Sequence, residues 1–123
     1  MRFLTDRKRA IGLGSAKSGV HHFWVMRVQS VALLILIPLF IFTFGPILGA
    51  PQGEVVAYYN RPFPAIVAAL TFIVGFKHFM DGCQVLIEDY VHGVAQKITI
   101  ILINCLCYAA MATALFAIAR IAL

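Results

Sequence analysis

The chain has 123 residues, 62% of them hydrophobic and 12% charged, with a formal net charge of +5. It is far more apolar than a soluble domain, and it has room for a few membrane-crossing helices but not for a separate soluble catalytic domain. The positive balance does not point to nucleic acid either: Arg2, Arg7, Lys8, Arg9, Lys17 and Arg27 all precede the first long apolar run and no aromatic-basic binding module accompanies them, an asymmetry that fits a cytoplasmic tail under the positive-inside rule.

Residues 1–20 read as a cytoplasmic basic tail that contains Gly12 and Gly14 and lacks the apolar periodicity needed to pack alone. No short apolar core with a small-residue cleavage site follows it, so the tail reads as retained rather than as a signal peptide. At the edge of the first span, His21, His22, Phe23, Trp24 and Arg27 mix aromatic and basic groups, and Trp24 suits the interfacial belt. The first spanning helix is expected over about 24–45: no residue from Val28 to Gly53 carries a formal charge, and the strongly apolar part ends at Gly45-Pro46. Pro38 lies inside it and removes one backbone hydrogen bond, which predicts a kink that a neighbouring helix can tolerate in a membrane.

Gly45 to Pro64 is rich in glycine and proline and reads as a loop. A second span is expected over about 63–88 and a third over about 94–119; Ala109, Ala110, Ala112, Ala114, Ala117 and Ala119 suit close helix contact in the third. The predicted fold is all-α and integral to the membrane: one anchor domain over 1–123, with three transmembrane helices in a heteromeric bundle. With the basic tail in the cytoplasm, the loop between the second and third spans is also cytoplasmic and the C-terminus is external. Cys83, Cys105 and Cys107 all fall within predicted spans without a C-x-x-C pair, and read as small packing residues. No internal repeat, phosphate-binding glycine loop or nucleophilic triad is present.

The residues that invite chemistry lie between His78 and Tyr90. His78 is placed near mid-bilayer, where a neutral imidazole can ligate haem iron or hydrogen-bond to another helix. Gly75 and Gly82 flank it at i−3 and i+4, where they would let a flat porphyrin approach or simply serve helix packing. His21 and His22 precede the first span and His92 lies in the cytoplasmic loop, so the haem reading requires its second axial ligand from another chain. Asp89 is eleven residues beyond His78, on nearly the same helix face and about 16 Å further along the axis. The Tyr90 phenol beside it can donate to a quinone carbonyl, with Asp89 holding it or relaying a proton. The plainer alternative is an interfacial tyrosine beside solvated acids. Asp81 has Lys77, a propionate-binding group or a neighbouring subunit's basic group as possible partners, and Arg27 is either an interfacial anchor or a ligand for a propionate or polar head group.

His78, Gly82, Gln84 and Asp89-Tyr90, together with the entry segment Gly19-Val20-His21-His22-Phe23 and Arg27, resemble the pattern of the small hydrophobic membrane anchor of succinate dehydrogenase. The resemblance covers roughly Ser18 to Val91 plus the three-span topology. It implies that His78 is an axial ligand of a haem b shared with a larger cytochrome b subunit. It also implies that Tyr90 contacts ubiquinone with Asp89 in support, and that Arg27 lies near the haem propionates or the quinone. Flavin and iron-sulfur clusters would belong to a flavoprotein and an iron-sulfur subunit docked on the cytoplasmic face, the complex would sit in a bacterial inner membrane, and this chain would have no activity alone. The alternatives are a haem-free fumarate reductase anchor, or a non-redox subunit in which His78 and the acids only join helices.

Overall fold

In lipid a backbone cannot leave N–H and C=O groups unpaired, so long apolar runs close their hydrogen bonds internally as helices. The computed structural model describes residues 3–12, 14 and 18–123. It contains three long helices, α2 (Ser18–Phe44), α4 (Pro62–Tyr90) and α5 (Gly93–Ala122), and two short ones, α1 (Asp6–Ile11) and α3 (Gln52–Tyr59). Met1, Arg2, Ala16 and Lys17, expected in the basic tail, lie outside the described residues. The candidate spans contain 29, 29 and 30 residues, about 45 Å each, so both ends of each extend past a hydrocarbon core of about 30 Å.

Helix α4 is the centre of the arrangement: α2 and α5 each pack against it, and the α2 and α5 backbones make no close approach to each other. Three helices in that order form an open row, and most of the apolar surface of α2 and α5 faces outward. The hydroxyls inside the helices are satisfied locally, as where Thr43 donates to the Leu39 carbonyl at 2.8 Å and Thr71 to that of Val67 at 2.7 Å.

The helix boundaries differ from expectation in three places. Helix α2 starts at Ser18 rather than near Trp24, because nothing between Val20 and Arg27 stops a helix; His21 and His22 therefore lie within its first turns. The expected loop after α2 is partly ordered: a single 3-10 turn spans Gly45–Ile47, and α3 follows Pro51 with Glu54 in its first turn, where the helix dipole favours a negative charge. The connection between α4 and α5 shrinks to Val91 and His92, and Gly93 takes a φ of 72° that a side chain would disfavour.

Helix α3 contributes one buried aromatic residue, Tyr59, to an apolar pocket of about 300 Å³ shared with Phe44, Ala68, Phe72, Ala114 and Ile118. Burial raises the Tyr59 phenol above its ordinary pKa, and Tyr58 adds to the effect. The folded state therefore holds this proton more tightly than the unfolded chain does. That contribution is fully present below the ordinary tyrosine pKa and is lost as pH rises through the folded value. Tyr59→Phe is expected to flatten the alkaline limb of the thermal stability of the purified complex, and an unchanged limb would contradict this burial effect.

Candidate functional site

A polar seam runs between α2 and α4. Asp81 is only 5% exposed, and a buried carboxylate is tolerated only when it is paired and hydrogen-bonded. Lys77, one turn earlier on α4, pairs with Oδ1, and the Gln29 amide of α2 donates from Nε2 to Oδ2 at 3.0 Å. Lys77, Asp81, Gln84 and Glu88 recur at helical spacing on one face of α4. Opposite them stand Gly19, His21, His22 and Val25 of α2, and together the eight residues line a cavity of about 640 Å³. Gln84 Nε2 donates to Glu88 Oε1 at 2.8 Å and holds the outer end of the stripe.

His78 is half-buried, one turn deeper on α4 than Asp81. It lines an apolar groove of about 490 Å³ with Ser30, Leu33, Leu34, Ile37 and Pro38 of α2. Its Nδ1 is buried and has no hydrogen-bond partner among the described residues. A Cβ added at Gly75 or Gly82 would meet nothing within 4 Å, so this chain packs no side chain against either glycine. An imidazole whose buried Nδ1 has no partner among the described residues, on an uncovered apolar groove and flanked by two glycines with open space above them, fits one face of a porphyrin. The other described histidines do not reach it: His21 and His22 lie roughly 15 Å nearer the end of the bundle, and His92, before the first turn of α5, lies about 20 Å along the axis.

Arg27 is exposed on α2, with its guanidinium 4.8 Å from the centre of the Phe23 ring. It lines a cavity of about 350 Å³ that includes His22, Met26 and Ser30. Ser30 also borders the His78 groove, so the two cavities have that residue in common. A cation in a cavity next to an apolar groove that holds an imidazole suits a carboxylate-bearing planar ligand.

Asp89 and Tyr90 end α4 and stand apart from His78 and Arg27; Asp89 is exposed and Tyr90 is 80% exposed. Glu88 and Asp89 occupy the last helical turn, where the dipole disfavours negative charge by about 0.3–1 kcal/mol each. Glu88 is held by Gln84, but Asp89 makes no ion pair or side-chain hydrogen bond among the described residues. Helix stability therefore does not account for Asp89. A phenol and a free carboxylate side by side at a membrane boundary can donate to a carbonyl and supply a proton. Sequence reasoning missed Gln29; the available signal was a lone carboxamide just inside an otherwise uncharged span. It also left Asp81 with several possible partners, of which Lys77 is the one found; Gln29 is a partner it did not name.

The family model for the succinate dehydrogenase/fumarate reductase transmembrane subunit matches residues 1–119. The chain is 44% identical over 123 residues to a succinate dehydrogenase hydrophobic membrane anchor subunit of Paracoccus denitrificans, an alignment covering 100% of this chain and 95% of the relative. It is 30% identical over 102 residues to the subunit of that name in Rickettsia conorii, covering 82% of this chain and 81% of the relative. It is also 32% identical over 85 residues to a succinate dehydrogenase membrane anchor subunit of Reclinomonas americana, covering 67% and 71%. No solved structure matches.

Proposed function

The chain belongs to the succinate dehydrogenase/fumarate reductase transmembrane subunit family, as a membrane anchor subunit of succinate dehydrogenase, and on that premise we propose that it forms one side of a haem b site at His78 and part of a ubiquinone-reduction site at Tyr90. The observation that carries the haem assignment is His78 itself: an imidazole with a buried, unpartnered nitrogen on a groove that the chain leaves open. His78 would ligate the iron, and Arg27, in the neighbouring cavity that shares Ser30, would bind a propionate or steady the quinone. The second axial ligand would come from a larger cytochrome b subunit lying along the open row of helices. When bound, the haem would supply a one-electron store.

At the cytoplasmic end, the Tyr90 hydroxyl would donate to a quinone carbonyl and so favour charge developing on that oxygen. Asp89, without another partner among the described residues, would orient the phenol or pass it a proton. Exposure of both in the isolated chain supports a site completed by neighbours, among them the iron-sulfur subunit that delivers the electrons and the flavoprotein that oxidises succinate. The orientation proposed is N-terminus cytoplasmic and C-terminus periplasmic in a bacterial inner membrane, with the basic residues of the tail on the cytoplasmic side.

Affinity purification of the tagged chain from its native membrane tests the reading. Flavoprotein and iron-sulfur subunits should co-purify with a reduced-minus-oxidised b-type haem spectrum. Those partners without haem would instead favour a haem-free fumarate reductase anchor, and neither partners nor haem would leave only helix packing.

A further inference from the structure

Two buried side-chain atoms on the α2–α4 seam have no partner among the described residues: Gln29 Oε1 and His78 Nδ1. An unpaired buried polar atom is destabilising, and a membrane interior offers no bulk water to relieve it. The two atoms can be complementary. Asp81 accepts from Gln29 Nε2, so the amide cannot turn over without setting its oxygen against a carboxylate oxygen. Lys77 pairs with the other Asp81 oxygen and anchors that carboxylate. The free end of Gln29 is therefore fixed as an acceptor. His78 lies one turn from Asp81 on α4, against the α2 turn that follows Gln29, where Ser30 and Leu33 line its groove. A neutral imidazole carries one N–H, and a histidine that gives one lone pair to a metal needs its other nitrogen to be the donor.

We propose that Lys77, Asp81 and Gln29 form a positioning relay for His78, in which Gln29 Oε1 accepts the His78 Nδ1 proton directly or through one buried water. The relay rests on the haem reading above and adds a specific claim to it. By holding the proton on Nδ1 it leaves the Nε2 lone pair for iron, fixes the ring plane, and makes the imidazole a stronger electron donor. A single water with two or more polar partners is the usual way such a gap is bridged inside a protein. The ion pair with Lys77 then acts at a distance from the ligand: it holds the carboxylate that holds the amide. Ser30 is the competing acceptor, because it borders the same groove while its hydroxyl donates to the Met26 carbonyl at 2.8 Å.

The test is a redox titration and low-spin ferric EPR of the haem in the purified complex, comparing wild type with Gln29→Met and Ser30→Ala. Gln29→Met keeps the side-chain length and removes the acceptor. It is expected to retain haem, to raise the haem midpoint potential, and to shift the largest EPR g value, with Ser30→Ala unchanged in both. A Gln29→Met complex that binds haem with the wild-type potential and g values overturns the relay, as does a shift seen only in Ser30→Ala. Should Gln29→Met fail to assemble, deuterium ENDOR of the wild-type and Ser30→Ala complexes prepared in D2O takes its place: a hydrogen-bonded Nδ1 deuteron has a smaller quadrupole coupling than a free one, and a free value in either complex overturns the proposal. Absence of histidine-ligated haem in the wild type would defeat the underlying haem assignment. An unchanged potential with haem in place defeats the relay alone.

Discussion

Replacing His78 by alanine in the assembled complex is expected to abolish the low-spin b-type haem spectrum, because no other histidine among the described residues lies at that depth. His21, His22 and His92 are each several helical turns away along the axis, too far for any rotamer to substitute. Cys83 is the nearest thiol in sequence, but it lies beyond Gly82 towards the helix end and not one turn from His78. The helices should still pack in the variant, since the buried residues of α4, among them Val67, Ala68, Met80 and Ile87, leave out His78. His78→Gly supplemented with imidazole separates ligation from packing: a free imidazole that restores the spectrum replaces a lone pair, not a helix contact. A wild-type spectrum in His78→Ala would remove His78 from the iron and leave its role as an interhelical hydrogen bond.

The sequence made the three spans legible because lipid imposes one strong rule, internal satisfaction of every backbone group over about 20 apolar residues. The helix ends were less legible, since the same rule does not apply at the headgroups. There Ser18 to Phe23 had equal reason to be tail or helix, and α3 emerged from a segment that glycine and proline had marked as a loop. His78, Asp89 and Tyr90 stood out as polar groups in or at the end of an apolar run. Their partners did not, because pairing across helices depends on rotation and register that periodicity leaves free. Gln29 illustrates the difference: nothing in the sequence ties a carboxamide in one span to an acid 52 residues later, yet the antiparallel packing of α2 on α4 brings them to 3.0 Å. The open row of helices limits what one chain can reveal, since both proposed sites lie on surfaces this chain does not cover.

Tyr90→Phe is expected to lower succinate-driven quinone reduction by about 10²-fold, the lower end of what a positioned acid or base contributes, while dye-linked succinate oxidation stays largely intact. The dye takes electrons before the quinone site, so the two assays divide the complex at the step where Tyr90 is proposed to act. Phenylalanine keeps the ring and its place at the interface, and the only group removed is the hydroxyl. If Tyr90 were simply part of an aromatic belt, the phenyl ring would serve nearly as well and both assays would be close to wild type. Loss of both activities together would signal failed assembly, and the content of the co-purifying subunits would show it. The last turn of α4, next to Tyr90, carries Asp89 against the helix dipole with no partner among the described residues, a placement that helix stability does not account for. Unchanged quinone reduction in Tyr90→Phe would assign the phenol to the interface and leave Asp89 without the neighbour through which it is proposed to act.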